Sequence, residues 1–326
     1  MRHPREVRRT GSDSPAASLW SYVWRMSEWH QVCICGLAVV VALVNLVPLE
    51  LQRRIINEVV ESQNVPLLVQ FGLVYLGVIM LHQVLKFTLR LYQSWLAESA
   101  RAYTRQHLLG LYGERLVEEE AAEGDTDETG SGRAVSIVNA EVERLGGFVG
   151  EELSQAVANV AMLLGIMGYM LVVQPTIALV SLAFLVPQVV VTPFMQRKLN
   201  ALMEKRVGYL RTLGDEIAEM GATCDGEDMP ILGKIFRNRM IFYALKFALK
   251  LLLNLMSALC PLAVLIFGGY QVMQGEAQVG VLVAFISGFE RLADPLRELI
   301  SFYRVAAQAS VQHDMIAKWM DLPQQD

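Results

Sequence analysis

Six stretches of this sequence are apolar over a length that suits a bilayer, where crossing about 30 Å of hydrocarbon takes about 20 helical residues. They run over residues 32–51, 67–85, 155–173, 176–195, 251–268 and 279–303. Hydrocarbon offers a backbone amide no partner, so each such segment must be a helix that satisfies its own hydrogen bonds. The chain is therefore expected to be an all-α, polytopic membrane protein whose six transmembrane helices lie within residues 20–322. A disordered cytoplasmic tail at 1–19 and a short tail at 323–326 would flank them. The third and fourth stretches are separated only by Gln174-Pro175, which requires a tight antiparallel hairpin. The sixth loses its apolar character after Phe289, where Glu290, Arg291, Asp294, Arg297 and Glu298 follow, so its second half should be shielded from lipid.

Composition agrees with this and excludes several classes. Apolar residues make up 53% of the chain and charged ones 19%, more apolar than one aqueous core requires. A formal net charge of −5, without a basic stripe interleaved with aromatics, argues against a nucleic-acid partner. Cys33, Cys35, Cys224 and Cys260 form neither a disulfide framework nor a zinc pattern, and the Cys33-Ile34-Cys35 pair reads as packing. The polar start, with Arg2, Arg5, Arg8 and Arg9, lacks the apolar core of an export signal.

Basic residues orient the chain, because cytoplasmic flanks carry the excess of Lys and Arg. Six arginines lie between Arg90 and Arg144, and eight Lys plus Arg between Arg197 and Arg239, whereas residues 269–278 have none. Both termini are expected in the cytoplasm, in a multi-pass protein of the inner (plasma) membrane. The two long connections on that side are too long to lack structure. Residues 91–120 and 135–153 have helical spacing, while 121–132 and 222–230 have turn chemistry. Helices two and three would then project well beyond the bilayer.

Gly132-Arg133-Ala134-Val135-Ser136-Ile137-Val138-Asn139-Ala140-Glu141-Val142 and the later Val279-Gly280, Ala284-Phe285 and Pro295-Leu296 resemble the transmembrane domain of ABC exporters. The resemblance covers residues 20 to 322. It implies that the two cytoplasmic turns couple to an ATPase, with Glu123, Asp125, Asp127, Glu128, Gly132 and Glu141 at the first and Asp225 and Glu227 at the second. Glu141 stands where the family usually has Asp, and the first turn lacks the family's usual aromatic residue. Between Glu118 and Glu128 every charged residue is acidic, so this turn either docks on a basic groove or is a solvated loop.

Ionisable residues near membrane depth mark the remaining candidates. His82 and Lys86 share one helix face, as do Lys246 and Lys250. Either they snorkel at a membrane end or they line a basic cavity wall that selects an anionic or lipid-headgroup substrate. On the last helix Glu290, Arg291, Asp294 and Arg297 serve either a gate or structural pairing, and Pro295 interrupts the backbone bonding there. No G-x-x-x-x-G-K-[ST], H-E-x-x-H or G-x-S-x-G occurs. The chain is thus expected to have no enzymatic activity, cofactor or metal of its own. ATP and Mg²⁺ would sit on a separate ATP-binding-cassette subunit, and the bundle would pair with a second copy or a related chain. A non-transporting scaffold or regulator with the same fold, or a fragment of a fused exporter, is the alternative.

Overall fold

A computed structural model describes residues 18–60, 64–121, 141–220 and 230–320, and every regular element among them is helical. They form two compact units. The first comprises residues up to Ile166 together with those from Asp294 onward, and the second is Met167–Ala293.

The first unit opens with α1 (Leu19–Ser27), capped by Ser18, whose hydroxyl accepts from the Ser21 amide at 3.3 Å. Its apolar face buries Leu19, Tyr22 and Val23 and leaves Trp20 and Trp24 exposed. Helix therefore begins at Leu19, one residue inside the tail expected at 1–19; residues 1–17 lie outside the described residues. Glu28 takes a left-handed backbone conformation, φ 43°, and divides α1 from α2 (Trp29–Val44). α3 (Val47–Arg54) continues the same apolar stretch beyond a break at Asn45-Leu46 and runs into a π-helical turn, Ile55–Val60.

α4 (Val65–Ala121) is a single helix of 57 residues, about 85 Å long at 1.5 Å per residue. The second span and the helix expected at 91–120 are thus one element, and the projection beyond the bilayer follows from its length. The chain returns through α5 (Val142–Gly147) and a π-helical turn, Phe148–Glu152, into α6 (Leu153–Val173).

Packing between α4 and this returning segment depends on two glycines. A Cβ at Gly150 would lie 2.5 Å from the Ala97 amide nitrogen and 2.6 Å from the Gln93 carbonyl oxygen, and one at Gly146 would collide with the Arg101 side chain. Around that approach Leu96, Leu108, Val142, Leu145 and Phe148 are buried with Ala309 and Ile316 from the end of the chain. Phe148 stacks on Phe302 at 6.0 Å and meets Trp20 edge-on at 6.1 Å. Gln93 donates to Ser154 at 2.8 Å, which satisfies two buried polar groups across the same seam.

In the second unit, α7 (Pro175–Met220) and α8 (Pro230–Met273) pack antiparallel. Pro175 opens α7, where its missing amide hydrogen costs nothing, and Gln174 alone separates α6 from α7; α7 packs along α8 rather than as a tight antiparallel pair with α6. Gln271 donates to Thr176 at 2.9 Å near this connection, and Asn238 donates to the Leu202 carbonyl at 3.0 Å at the far end. The final helix, α9 (Val279–Met320), begins in this unit with Val281, Leu282, Ala284, Phe285 and Phe289 buried.

Among the described residues, five helical stretches are long and apolar enough to cross a membrane: Trp29–Val59, Val65–Gly110, Val142–Val173, Pro175–Gly214 and Pro230–Met273. Six were expected. α9 occupies the sixth position, but Glu290, Arg291 and Asp294 interrupt its apolar run before it reaches membrane length.

The glycine seam makes a direct prediction. Gly150→Ala should lower stability by about 1–3 kcal/mol, because a backbone atom blocks the new methyl. Gly110→Ala, which meets nothing within 4 Å, should be neutral or raise stability by up to about 1 kcal/mol. Thermal unfolding of the detergent-purified variants, followed by size-exclusion chromatography, measures both.

Candidate functional site

The described structure closest in sequence to the first expected turn is the far half of α4 with α5. Arg101 and Arg105 are four residues apart on α4 and therefore share a face. Both reach Glu143 on α5: Arg105 Nη2 at 2.8 Å and Arg101 Nη2 at 3.2 Å from its carboxylate. Arg101 also donates from Nε to the Glu143 carbonyl oxygen at 3.0 Å and pairs with Glu98 one turn earlier. Its side chain is only 17% exposed, so these bonds form away from much of the solvent that screens a surface pair. The guanidinium thus ties the outgoing and returning helices together on the side chain level, beside the backbone approach at Gly146 and Gly150.

A second knot ties α1 to this extension. The Tyr22 hydroxyl lies 2.6 Å from Thr104 Oγ1, and its ring meets the His313 ring edge-on at 5.7 Å. Burial pushes the Tyr22 hydroxyl up to about 12, partly offset by the Thr104 bond. The anion is therefore disfavoured when folded, and this group costs stability only as pH rises from about 10, the ordinary tyrosine value, towards 12.

The expected coupling residues Glu123, Asp125, Asp127, Glu128, Gly132, Asp225 and Glu227 lie outside the described residues. Glu141 is described, half-buried at the start of α5. Of the cavity or gate candidates, His82 and Lys86 sit on α4 in the first unit, with Lys86 exposed. Lys246 and Lys250 are exposed on α8 in the second unit, and Glu290 is exposed on α9 with Arg291 half-buried beside it. Arg297 meets Asp294 at 3.5 Å; both are exposed, so the pair contributes at most about 1 kcal/mol. Pro295 lies within continuous helix, as do Pro187, Pro193 and Pro261.

The Gly233-Lys234-Ile235 sequence offers no phosphate cradle. It lies in the first turns of α8, where the backbone amides are committed to helix rather than forming a loop. No group of three or more His, Cys, Asp or Glu that could hold a metal occurs among the described residues.

A family profile described as the ABC transporter transmembrane region matches residues 32–217, more than half of the chain. The chain belongs to this family. The match runs from α2 through α7 and so contains the whole α4–α5 extension and its Arg101–Glu143 tie, while α8 and α9 lie beyond it. No curated protein sequence matches the chain significantly. As a member of the ABC transporter transmembrane-region family, it is the membrane component of an ABC transporter.

Sequence reasoning passed over Arg101, Arg105 and Glu143, although the four-residue spacing of the two arginines and the Gly146/Gly150 pair were readable. Gly165 lies under Leu46, where a Cβ would come within 2.6 Å of Cδ1, whereas Gly36 and Gly168 face open space.

Because Arg101 holds a carbonyl as well as two carboxylates, Arg101→Ala should cost about 1–3 kcal/mol. Arg105→Ala, which loses the solvent-exposed pair with Glu143, should cost less than Arg101→Ala, under about 1 kcal/mol for that pair. Denaturation midpoints of the two variants in one detergent compare them directly.

Proposed function

We propose that this chain is the permease subunit of an ABC-type exporter, which forms the translocation pathway as a dimer and draws on a separately encoded ATPase. The observation that carries this reading is the match to the ABC transporter transmembrane region over helices far longer than a bilayer requires. α4 has 57 residues where about 20 suffice, which leaves roughly 55 Å of helix outside the hydrocarbon. A helical lever of that length, tied to its return helix through Arg101 and Glu143, suits the transfer of movement from a soluble partner to the membrane spans.

ATP and Mg²⁺ belong on that partner in this reading, since the sequence has no G-x-x-x-x-G-K-[ST] and its one Gly-Lys pair is helical. The permease itself has no enzymatic role. Its acidic segment from Glu118 to Glu128 fits a basic groove on the ATPase, where charge complementarity selects one partner. The excess of Lys and Arg on the side of the long extensions supports a cytoplasmic location for them and for both termini, in the inner (plasma) membrane.

A tagged chain extracted from its native membrane in mild detergent should co-purify with an ATP-binding-cassette subunit, and the eluate should hydrolyse ATP. Changing Glu123, Asp125, Asp127 and Glu128 to their amides should release that subunit at physiological salt. A chain that elutes without any ATPase at every salt concentration would contradict the permease reading and favour a non-transporting scaffold of the same fold.

A further inference from the structure

α8 carries Lys234, Arg237, Arg239, Lys246 and Lys250 and not a single Asp or Glu along its 44 residues. At 100° per residue, Arg239, Tyr243, Lys246, Phe247 and Lys250 fall within one third of its circumference, with Phe236 beside them. This face is structured by its own contacts. The Arg239 guanidinium lies over the Tyr243 ring at 4.7 Å, and Tyr243 stacks on Phe247 at 5.9 Å with nearly parallel planes. Within the second unit the face is open: Phe236 and Phe247 are 69% and 59% exposed, and Lys246 and Lys250 are exposed as well. Among the described residues, neither lysine forms a salt bridge.

The neighbouring helix repeats the chemistry at the same level. The Asn238–Leu202 and Cys260–Ser181 contacts fix the antiparallel register of α7 and α8, which sets Phe194 and Lys198 level with Phe247 and Tyr243. Lys198 Nζ lies 4.6 Å from the centre of the Phe194 ring, and Arg197 adjoins it. This level is also where the apolar stretches 176–195 and 251–268 end. About 20 residues, or roughly 30 Å, separate it from the polar Gln174, Thr176 and Gln271 cluster at the other end. A belt of cations and rings at one edge of a hydrocarbon-length hairpin matches a headgroup layer: the rings suit the interface, and the cations suit phosphate.

We propose that the face of α8 formed by Arg239, Tyr243, Lys246, Phe247 and Lys250 binds the phosphate headgroup of an anionic phospholipid at the edge of the bilayer. Charge decides the occupant. Five cations, Arg197, Lys198, Arg239, Lys246 and Lys250, gather at this level, and the nearest carboxylate on either helix is Glu204, beyond Leu202 at its edge. A zwitterionic headgroup would bring its own cation into that field, whereas a net anion completes it. The site stands independently of whether the chain transports a substrate.

Native mass spectrometry of the full chain, purified in detergent and titrated with phosphatidylglycerol or phosphatidylcholine, tests this. Wild type should retain phosphatidylglycerol over phosphatidylcholine by roughly 10-fold, as two or more interfacial cations would give. The Lys246→Gln/Lys250→Gln variant should lose that preference. Lys234→Gln, on the opposite face of α8, should keep it, and so should Lys246→Arg/Lys250→Arg, which reads the charge even if the glutamine variant fails to fold. Equal retention of both lipids by wild type would overturn the proposal without any variant. So would an equal loss in Lys234→Gln, or displacement of the lipid by millimolar inorganic phosphate, which would assign the site to a soluble anion. A glutamine variant that keeps its lipid preference but loses self-association would assign the face to a second copy instead.

Discussion

In hydrocarbon a backbone amide has no partner except within its own helix, and most features of this chain follow from that constraint. It makes every span helical, and the break between α6 and α7 at Gln174-Pro175 falls where the chain meets a polar cluster of Thr176 and Gln271. It also explains why Pro187, Pro193 and Pro261 stay inside long helices: a helix packed in a bundle or bilayer keeps its remaining bonds because no alternative is offered.

Beyond the hydrocarbon the constraint lapses, and side chains must hold the helices together. There the glycines at 146 and 150 let α5 and the following turn approach α4 at backbone distance, and Arg101 reaches across to the Glu143 carbonyl and carboxylate. Phe148, Phe302 and Trp20 close the same junction with aromatic contacts. Two helices that would otherwise extend separately into water are thus tied together at backbone and side-chain level.

Long apolar runs were legible in the sequence because membrane length is a one-dimensional property. Their places survive in α2 with α3, α4, α6, α7 and α8, and the all-helical class with them. What sequence reading passed over is two- or three-dimensional. α1 is nine residues long, and its apolar face of Leu19, Tyr22 and Val23 was not among the features drawn from the sequence. The tie between Arg101 and Glu143 joins residues 42 apart, and no local pattern announces it. The ring ladder from Arg239 through Tyr243 to Phe247 is spaced at four residues, but it was read only through Lys246 and Lys250. α9 shows the opposite case: its place was expected, yet charged residues after Phe289 end its apolar run, and Val281, Leu282, Ala284, Phe285 and Phe289 are buried against protein.

A transporter membrane domain with helices projecting from one face requires that the Gln174 connection and the far half of α7 lie on opposite sides of the bilayer. The most direct test places single cysteines at Gln174 and at Lys205, in a chain whose four native cysteines have been replaced, and labels intact cells with a membrane-impermeant thiol reagent. One position should react in intact cells and the other only after permeabilisation. Reaction of both positions from the same side would show that α7 does not span the membrane and would contradict the account.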